Sequence, residues 1–314
     1  MTIDRRPIVL HGVFLVLLAA AFFVLPTYHA GNLSRVMTLA IYAMGFNFLF
    51  GYTGLLSLGH ALFFTAGMYG LGMSMTGWGL TPLPALVVGV ICAAVMGLLI
   101  GFLALRTKGV AFMIVTLMFA QAGYLTIFYF GEFTRGDEGF VIQQAERQLF
   151  GIDLTSEMGR YFAAFILFTG TFIGLSRLVQ SRFGRTLIAV RENEERTQML
   201  GYDTQRHKLS AMVVSAAVSG LAGATYALLF GYVGATFATT QYSILPLLWV
   251  LLGGAGTMIG PFIGALFMFY LIDFASGITE AYMLIAGVVL VLLTLYAPQG
   301  FAGELRKRMI PWLP

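Results

Sequence analysis

Lysine is scarce in this sequence: Lys108, Lys208 and Lys307 are the only three in 314 residues, and none follows a glycine. A phosphate-cradling loop needs Gly-Lys followed by Ser or Thr, so the chain cannot bind ATP by that route. Cysteine occurs once, as Cys92 inside an apolar run, which excludes an internal disulfide. No cluster of residues has metal-ligand spacing, so neither a metal nor a cofactor is expected on the chain. Asp, Glu, Lys and Arg together make up 10% of residues, against 59% hydrophobic types. That is too little charge for a soluble domain of this length. No apolar run carries paired carboxylates or a mid-run Lys or Arg, the groups an ion- or proton-coupled carrier usually needs.

What is present reads as a membrane protein. The 38 Gly and 28 Phe fit membrane helices. The formal charge of +4 suits positive-inside anchoring rather than a nucleic-acid surface. Apolar runs of spanning length predict helices over residues 8–25, 33–50, 55–75, 84–105, 110–130, 161–179, 209–232 and 281–296. The first follows Arg5 and Arg6 but is long and lacks a small-x-small site before Pro26, so it reads as an uncleaved span. A further run, 244–270, is too long for one simple helix and is interrupted by GGAGTMIGPFIG at 253–264. Two short spans or a re-entrant pair are expected there. The expected fold is an all-α polytopic bundle of nine or ten membrane segments in a single domain, 1–314. His11 and Arg35 lie near run ends, where their side chains can reach the headgroups.

Basic residues set the orientation. The segment 181–208 is the most charged of the chain, with six Lys or Arg and four acids. A charged island between spans is too costly to leave in lipid, so 180–208 is expected to be a cytoplasmic loop. The 131–159 loop holds six acids against Arg135 and Arg147 and is expected outside. With two crossings in 244–270, both termini fall in the cytoplasm. As one helix over 184–200, the island predicts i,i+4 pairs Arg191–Glu195 and Glu192–Arg196, with Gly201 as the stop. Its apolar residues Leu187, Ile188, Val190, Met199 and Leu200 fall on no single stripe, which suits a short helix, or two, seated in a partner's socket rather than in a membrane surface. An ordinary solvated loop weighs about equally by pattern.

Two Gly-rich segments are the other candidates. In GYTGLLSLGHALFFTAGMYG (51–70), Gly54, Gly59, Ser57 and His60, with Asn47 just before, offer an unwound stretch lining a polar path. Gly254, Gly256 and Thr257 offer the same in 253–264. Packing by small residues is the commoner use of such segments. Ser57 and His60 lie three apart but lack a third group to orient a base, which argues against an intramembrane protease.

Together these segments resemble the permease subunits of branched-chain amino acid ABC transporters of the LivM type. GYTGLLSLGHALFFTAGMYG resembles the family's GYxGxxSLGHAxFFGxGAY signature. FGRTLIAVRENEERTQMLG resembles its SxFGRAxxAIRENExxAxxLG element, except that Thr197 and Met199 stand where small or charged residues are more usual. LLGGAGTMIGPFIGA is similar to its GGxGTxxGPxxGA segment, and RTKGVAFMIVTLMFAQ to its RxxGxxFxxxTLxFxQ stretch. The resemblance implies the ABC importer permease fold and alternating access, with no enzyme activity in this chain. It implies a homologous second permease, two cytoplasmic ATPase subunits that use ATP and Mg, and a periplasmic solute-binding protein, in a bacterial inner membrane. It makes Gly184, Arg185, Ala189, Arg191, Glu192, Asn193, Leu200 and Gly201 the coupling element for the ATPase. The implied solutes are branched-chain or related amino acids. Relatives that carry urea, short-chain amides or aromatic acids leave those solutes open, and an independent channel or secondary carrier is the remaining alternative.

Overall fold

The computed structural model describes residues 6–149, 151–296 and 299–308. Its helices are α1 (Arg6–Val24), α2 (Thr27–Asn47), α3 (His60–Trp78), α4 (Pro82–Ala104), α5 (Val110–Tyr129), α6 (Gly131–Thr134), α7 (Glu157–Gln180), α8 (Arg182–Glu192), α9 (Glu194–Met199), α10 (Thr204–Phe230), α11 (Thr240–Gly253), α12 (Gly260–Ser276), α13 (Tyr282–Tyr296) and α14 (Gly300–Arg308). Five of them, α2 with its extension, α4, α5, α7 and α10, are long and apolar enough to cross a membrane. Ten have 14 or more residues, which fits the expected bundle.

The sequence sets the helix ends. Pro82 opens α4 in the first-turn position, where its missing N–H costs nothing. Ser156, Asn193 and Asp203 cap α7, α9 and α10 by accepting from Gly159, Arg196 and Arg206 N–H.

The centre is α2, in which residues 36–49 are all buried. A helix apolar all round belongs in an interior. Beside it α4 and α10 run antiparallel on small residues: Gly89, Ala93, Gly97 and Gly101 face Ala224, Gly220, Ala216 and Met212. The outer faces of α4 and α5, with Val87, Ile91, Ile114 and Met118, remain exposed.

Two findings revise the expected spans. First, α2 starts at Thr27 rather than 33, so Arg35 stands about two turns inside it rather than near its end. Second, α3 starts at His60 rather than 55, at the level of Ser215, about three turns into α10. Residues 53–59 are non-helical, and a π turn, Phe48–Tyr52, joins them to α2. The 244–270 run divides, as expected, into α11 and α12. At 14 residues α11 is about 21 Å long, short of a full crossing. The loop between α5 and α7 carries β1 (Phe140–Val141), paired antiparallel with β4 (Tyr232–Val233), and a hairpin of β2 (Gln148–Leu149) and β3 (Ile152–Asp153).

Candidate functional site

The charged island is two helices, not one. The chain is extended at Asn193 (φ −159°, ψ 101°), and the Asn193 side chain caps α9 with a 2.8 Å bond from Arg196 N–H. A side chain that bonds the backbone two or three residues on favours that break over a continuous helix. The expected Arg191–Glu195 and Glu192–Arg196 pairs straddle it, and neither forms among the described residues. The single-helix reading also hid an apolar stripe. On α8 alone, Phe183, Leu187 and Val190 follow i, i+4, i+7, and Leu187 and Val190 are buried against the bundle. Met199 and Leu200, at the end of α9, are instead 85% and 72% exposed.

A buried ion pair fixes α9 to the bundle. Lys208 Nζ lies 2.5 Å from Glu194 Oε1, with the lysine side chain 9% exposed. Thr204 Oγ1 also donates to Glu194, at 3.2 Å. Burial pulls the Glu194 carboxyl upward. The hydrogen bond and charge of Lys208 outweigh it, with Thr204 and Lys108 adding, and hold the group below the ordinary carboxylate value.

The residues expected to couple to an ATPase divide by position. Arg185, Ala189, Glu192, Asn193, Leu200 and Gly201 are exposed on the outer side of α8 and α9. Gly184 is buried, and a Cβ there would lie 2.5 Å from the Leu178 carbonyl. Arg191 is exposed too, but its Nη1 reaches inward and donates to the Gly51 carbonyl in the π turn at the end of α2. The same nitrogen would lie 3.2 Å from a Cβ on Gly256, and the Arg191 stem packs against Gly54.

Asn47 completes this junction. Its Nδ2 donates to the Thr257 carbonyl at 2.9 Å, and its Oδ1 accepts from Gly256 N–H at 2.9 Å. Both bonds satisfy backbone groups in the α11–α12 break, which lacks its own helical partners. Thr257 Oγ1 shapes that break by donating to the Gly254 carbonyl at 2.7 Å and accepting from Gly260 N–H at 3.2 Å. A Cβ on Gly51 would lie 2.5 Å from Gly256 N, so only glycine lets the π turn and the break approach this closely. Gly54, at φ +78°, takes the chain out of the π turn.

Ser57, Gly59 and His60 belong to a second layer. Leu58 N–H donates to Thr116 Oγ1 at 3.1 Å, Gly59 N–H to Ser57 Oγ at 3.2 Å, and Ala61 N–H to Ser243 Oγ at 3.0 Å. These hydroxyls satisfy the start of a helix that begins inside the bundle. His60 is fully buried, and its Nε2 lies 2.9 Å from Ser215 Oγ. Ser215 Oγ donates to the Gly45 carbonyl at 2.6 Å, so it accepts from His60 and the proton sits on Nε2. The imidazole therefore engages the hydroxyl of Ser215 rather than that of Ser57. Asn47, Gly54, Gly256 and Thr257 thus gather at Arg191, while Gly254 lies against Gly303 of α14. Close backbone approach at Gly51 was legible in the Gly-rich pattern, but the sequence reading missed Thr116, Ser215 and Ser243 as members of the site. Each hydroxyl is one of several polar residues in an apolar helix, so no local signal set it apart. Among the described residues, no three of His, Cys, Asp and Glu gather as metal ligands.

Residues 29–294 match the family described as branched-chain amino acid transport system, permease component. The chain is 29% identical over 296 residues to the high-affinity branched-chain amino acid transport system permease protein LivM of Escherichia coli strain K12, covering 87% of this chain and 69% of that protein. It is 28% identical over 299 residues to the protein of the same description from Salmonella typhimurium strain LT2, covering 88% and 70%. No solved structure matches it.

Proposed function

The chain belongs to the family of branched-chain amino acid transport system permease components, and on that premise we propose that it is the membrane-spanning subunit of an ABC importer for branched-chain amino acids. Cytoplasmic ATPase subunits engage α8 and α9 and use ATP and Mg, while this chain hydrolyses nothing. A homologous permease completes the pathway, and a periplasmic binding protein delivers the solute. The membrane is the bacterial inner membrane, with both termini cytoplasmic.

One observation carries the mechanism. Arg191 ties the coupling helix to the π turn of α2, and Asn47 ties α2 to the α11–α12 break. A push on α8 therefore reaches two interrupted helices at once. Interrupted helices have few helical bonds to break and can tilt as rigid pieces about the gap. Alternating access follows when ATPase closure drives α8 and α8 drives that junction. Ser57 and His60, one layer deeper, lie where such a tilt opens or shuts the interior.

The test is leucine uptake by vesicles containing the complete importer, compared with vesicles containing this chain alone. Uptake that requires ATP, the ATPase subunits and the binding protein is expected. Uptake by the chain alone without ATP sinks the importer reading in favour of a channel or carrier.

A further inference from the structure

At the end of the bundle opposite α8 and α9, two arginines from different segments converge on one aromatic ring and a third lies at the adjoining turn. The Arg35 guanidinium of α2 lies 5.0 Å from the centre of Phe230, the last residue of α10, and that of Arg160, in the first turn of α7, lies 5.6 Å from the same centre. Arg147, from the loop, lies against Gly231, where a Cβ would meet its Cζ at 2.7 Å, and its Nη1 reaches the Leu229 carbonyl at 3.4 Å.

Capping the C-terminus of α10 accounts for one cation, and Arg160 Nη2 donates to the Thr155 carbonyl at 2.8 Å, but neither contact supplies a counter-charge. Among the described residues, none of the three is within ion-pair distance of a carboxylate. The nearby Asp153 already accepts from the Thr155 N–H and hydroxyl and from Gln144. Arg147 Nε and Arg160 Nε are buried and have no hydrogen-bond partner. Burial, and then the charge of Arg160, push the Arg147 guanidinium below its ordinary value, with Asp153 offsetting part of this. Converging like charges with unfilled donors are costly until an anion arrives. Arg35 remains exposed, two turns inside a helix whose residues 33–47 are otherwise buried, so the cluster is open at the surface of the bundle. Beside it stands an apolar wall: Tyr226 and Phe230 have ring centres 4.7 Å apart, and Tyr226 and Phe237 5.1 Å.

We propose that Arg35, Arg147 and Arg160 form the receiving site for the solute's carboxylate, with the rings of Phe230, Tyr226 and Phe237 taking its apolar side chain. The proposal rests on the importer reading and narrows its solute class. Guanidiniums match a carboxylate with paired N–H donors, whereas urea and amides offer no anion. The site admits branched-chain and aromatic acids and disfavours uncharged solutes.

Two experiments test it. In vesicles containing the complete importer, R35Q and R160Q are expected to cut maximal leucine uptake roughly tenfold or more, the scale of a lost charge-assisted bond. The half-saturating concentration of binding protein is expected to stay unchanged, and R35K and R160K, which keep the charge but not the paired donors, to lose less than the Gln variants. Wild-type uptake in both Gln variants overturns the site. A raised half-saturating concentration with normal maximal uptake also overturns it, because the arginines then dock an acidic protein surface. The second experiment labels the purified full chain with phenylglyoxal and reads each arginine by mass spectrometry. Leucine and acetate are expected to slow labelling of Arg35 and Arg160, leucinamide to do so far less, and Arg206, at the far end and 87% exposed, to be unaffected. Equal protection by leucinamide, or none by either anion, overturns the proposal. Failure of the wild-type importer to move leucine sinks the importer reading alone, since the acetate measurement does not depend on transport.

Discussion

Arg191 donates a hydrogen bond to the backbone carbonyl of Gly51, 140 residues earlier in the chain. A charged side chain of α8 thus ends on the main chain of the π turn that extends α2. The acceptor is in a π turn, a geometry that recurs at functional sites. Main-chain contact makes the link sensitive to the donor's shape more than to the acceptor's side chain.

Arg191→Gln therefore tests the lever directly. The variant complex should assemble normally, since Arg185, Glu192, Met199 and Leu200 still face outward. Solute-stimulated ATP hydrolysis should fall roughly tenfold or more, as for loss of a hydrogen bond to a charged group, while unstimulated hydrolysis persists. Adding Glu192→Arg to Arg191→Glu should complete the uncoupling. Full stimulation in Arg191→Gln, measured at saturating liganded binding protein, removes Arg191 from the transmission path.

Gly51→Ala probes the other end of the same bond. The added Cβ would lie 2.5 Å from Gly256 N, a backbone atom that cannot rotate away. Overpacking of this kind costs about 1–3 kcal/mol. The expected outcome is a lower thermal midpoint in detergent and a larger fall in uptake than in stability. Gly12→Ala has nothing within 4 Å of its Cβ and serves as the control.

Much of this was legible in the sequence, and the failures have physical causes. Run length and Gly-rich interruptions located the bundle and the split at 253–264, because bilayer thickness fixes helix length. Helix starts were read late for α2 and early for α3. Polar Thr27, His29 and Asn32 dilute the first, while Leu55 and Leu58 make non-helical backbone look like span. The charged island was found, with one short helix or two expected, but the ion pairs and the missing stripe read for a single helix fail because periodicity read across Asn193 mixes two helix faces. The junction itself was invisible: Arg191 and Asn47 read as separate sites, and nothing local shows that Asn47 bonds backbone 209 and 210 residues away. Such pairings come from topology, which pattern alone does not supply.

Leu200 and Met199 present apolar side chains to solvent at the end of α9. Burying such a pair under a partner contributes about 1.5–3 kcal/mol for each large apolar side chain. Leu200→Asp should weaken ATPase binding by roughly tenfold or more, measured by co-purification under graded salt, without changing the chain's thermal midpoint. Retention of the ATPase at wild-type levels would place the docking surface elsewhere on α8.

Glu194 gives the attachment of α9 a pH dependence of known sign. Its carboxyl is held below its ordinary value in the folded protein, because Lys208, Thr204 and Lys108 outweigh the effect of burial. A depressed acid contributes stability above its unfolded value, about 4.3, and loses it as pH falls through the folded value. Amide protection in α9, taken relative to the intrinsic exchange rate at each pH, should therefore stay high at neutral pH and fall in acid below that value. Glu194→Gln should remove the acid limb. At neutral pH it should already exchange faster than wild type, because Lys208 is then buried without its counter-charge. Lys208→Met should do the same from the other side, yet the double variant should recover part of the loss, since neither buried charge is left alone. If the two single effects simply add, the pair does not hold α9, and the Asn193 cap alone does.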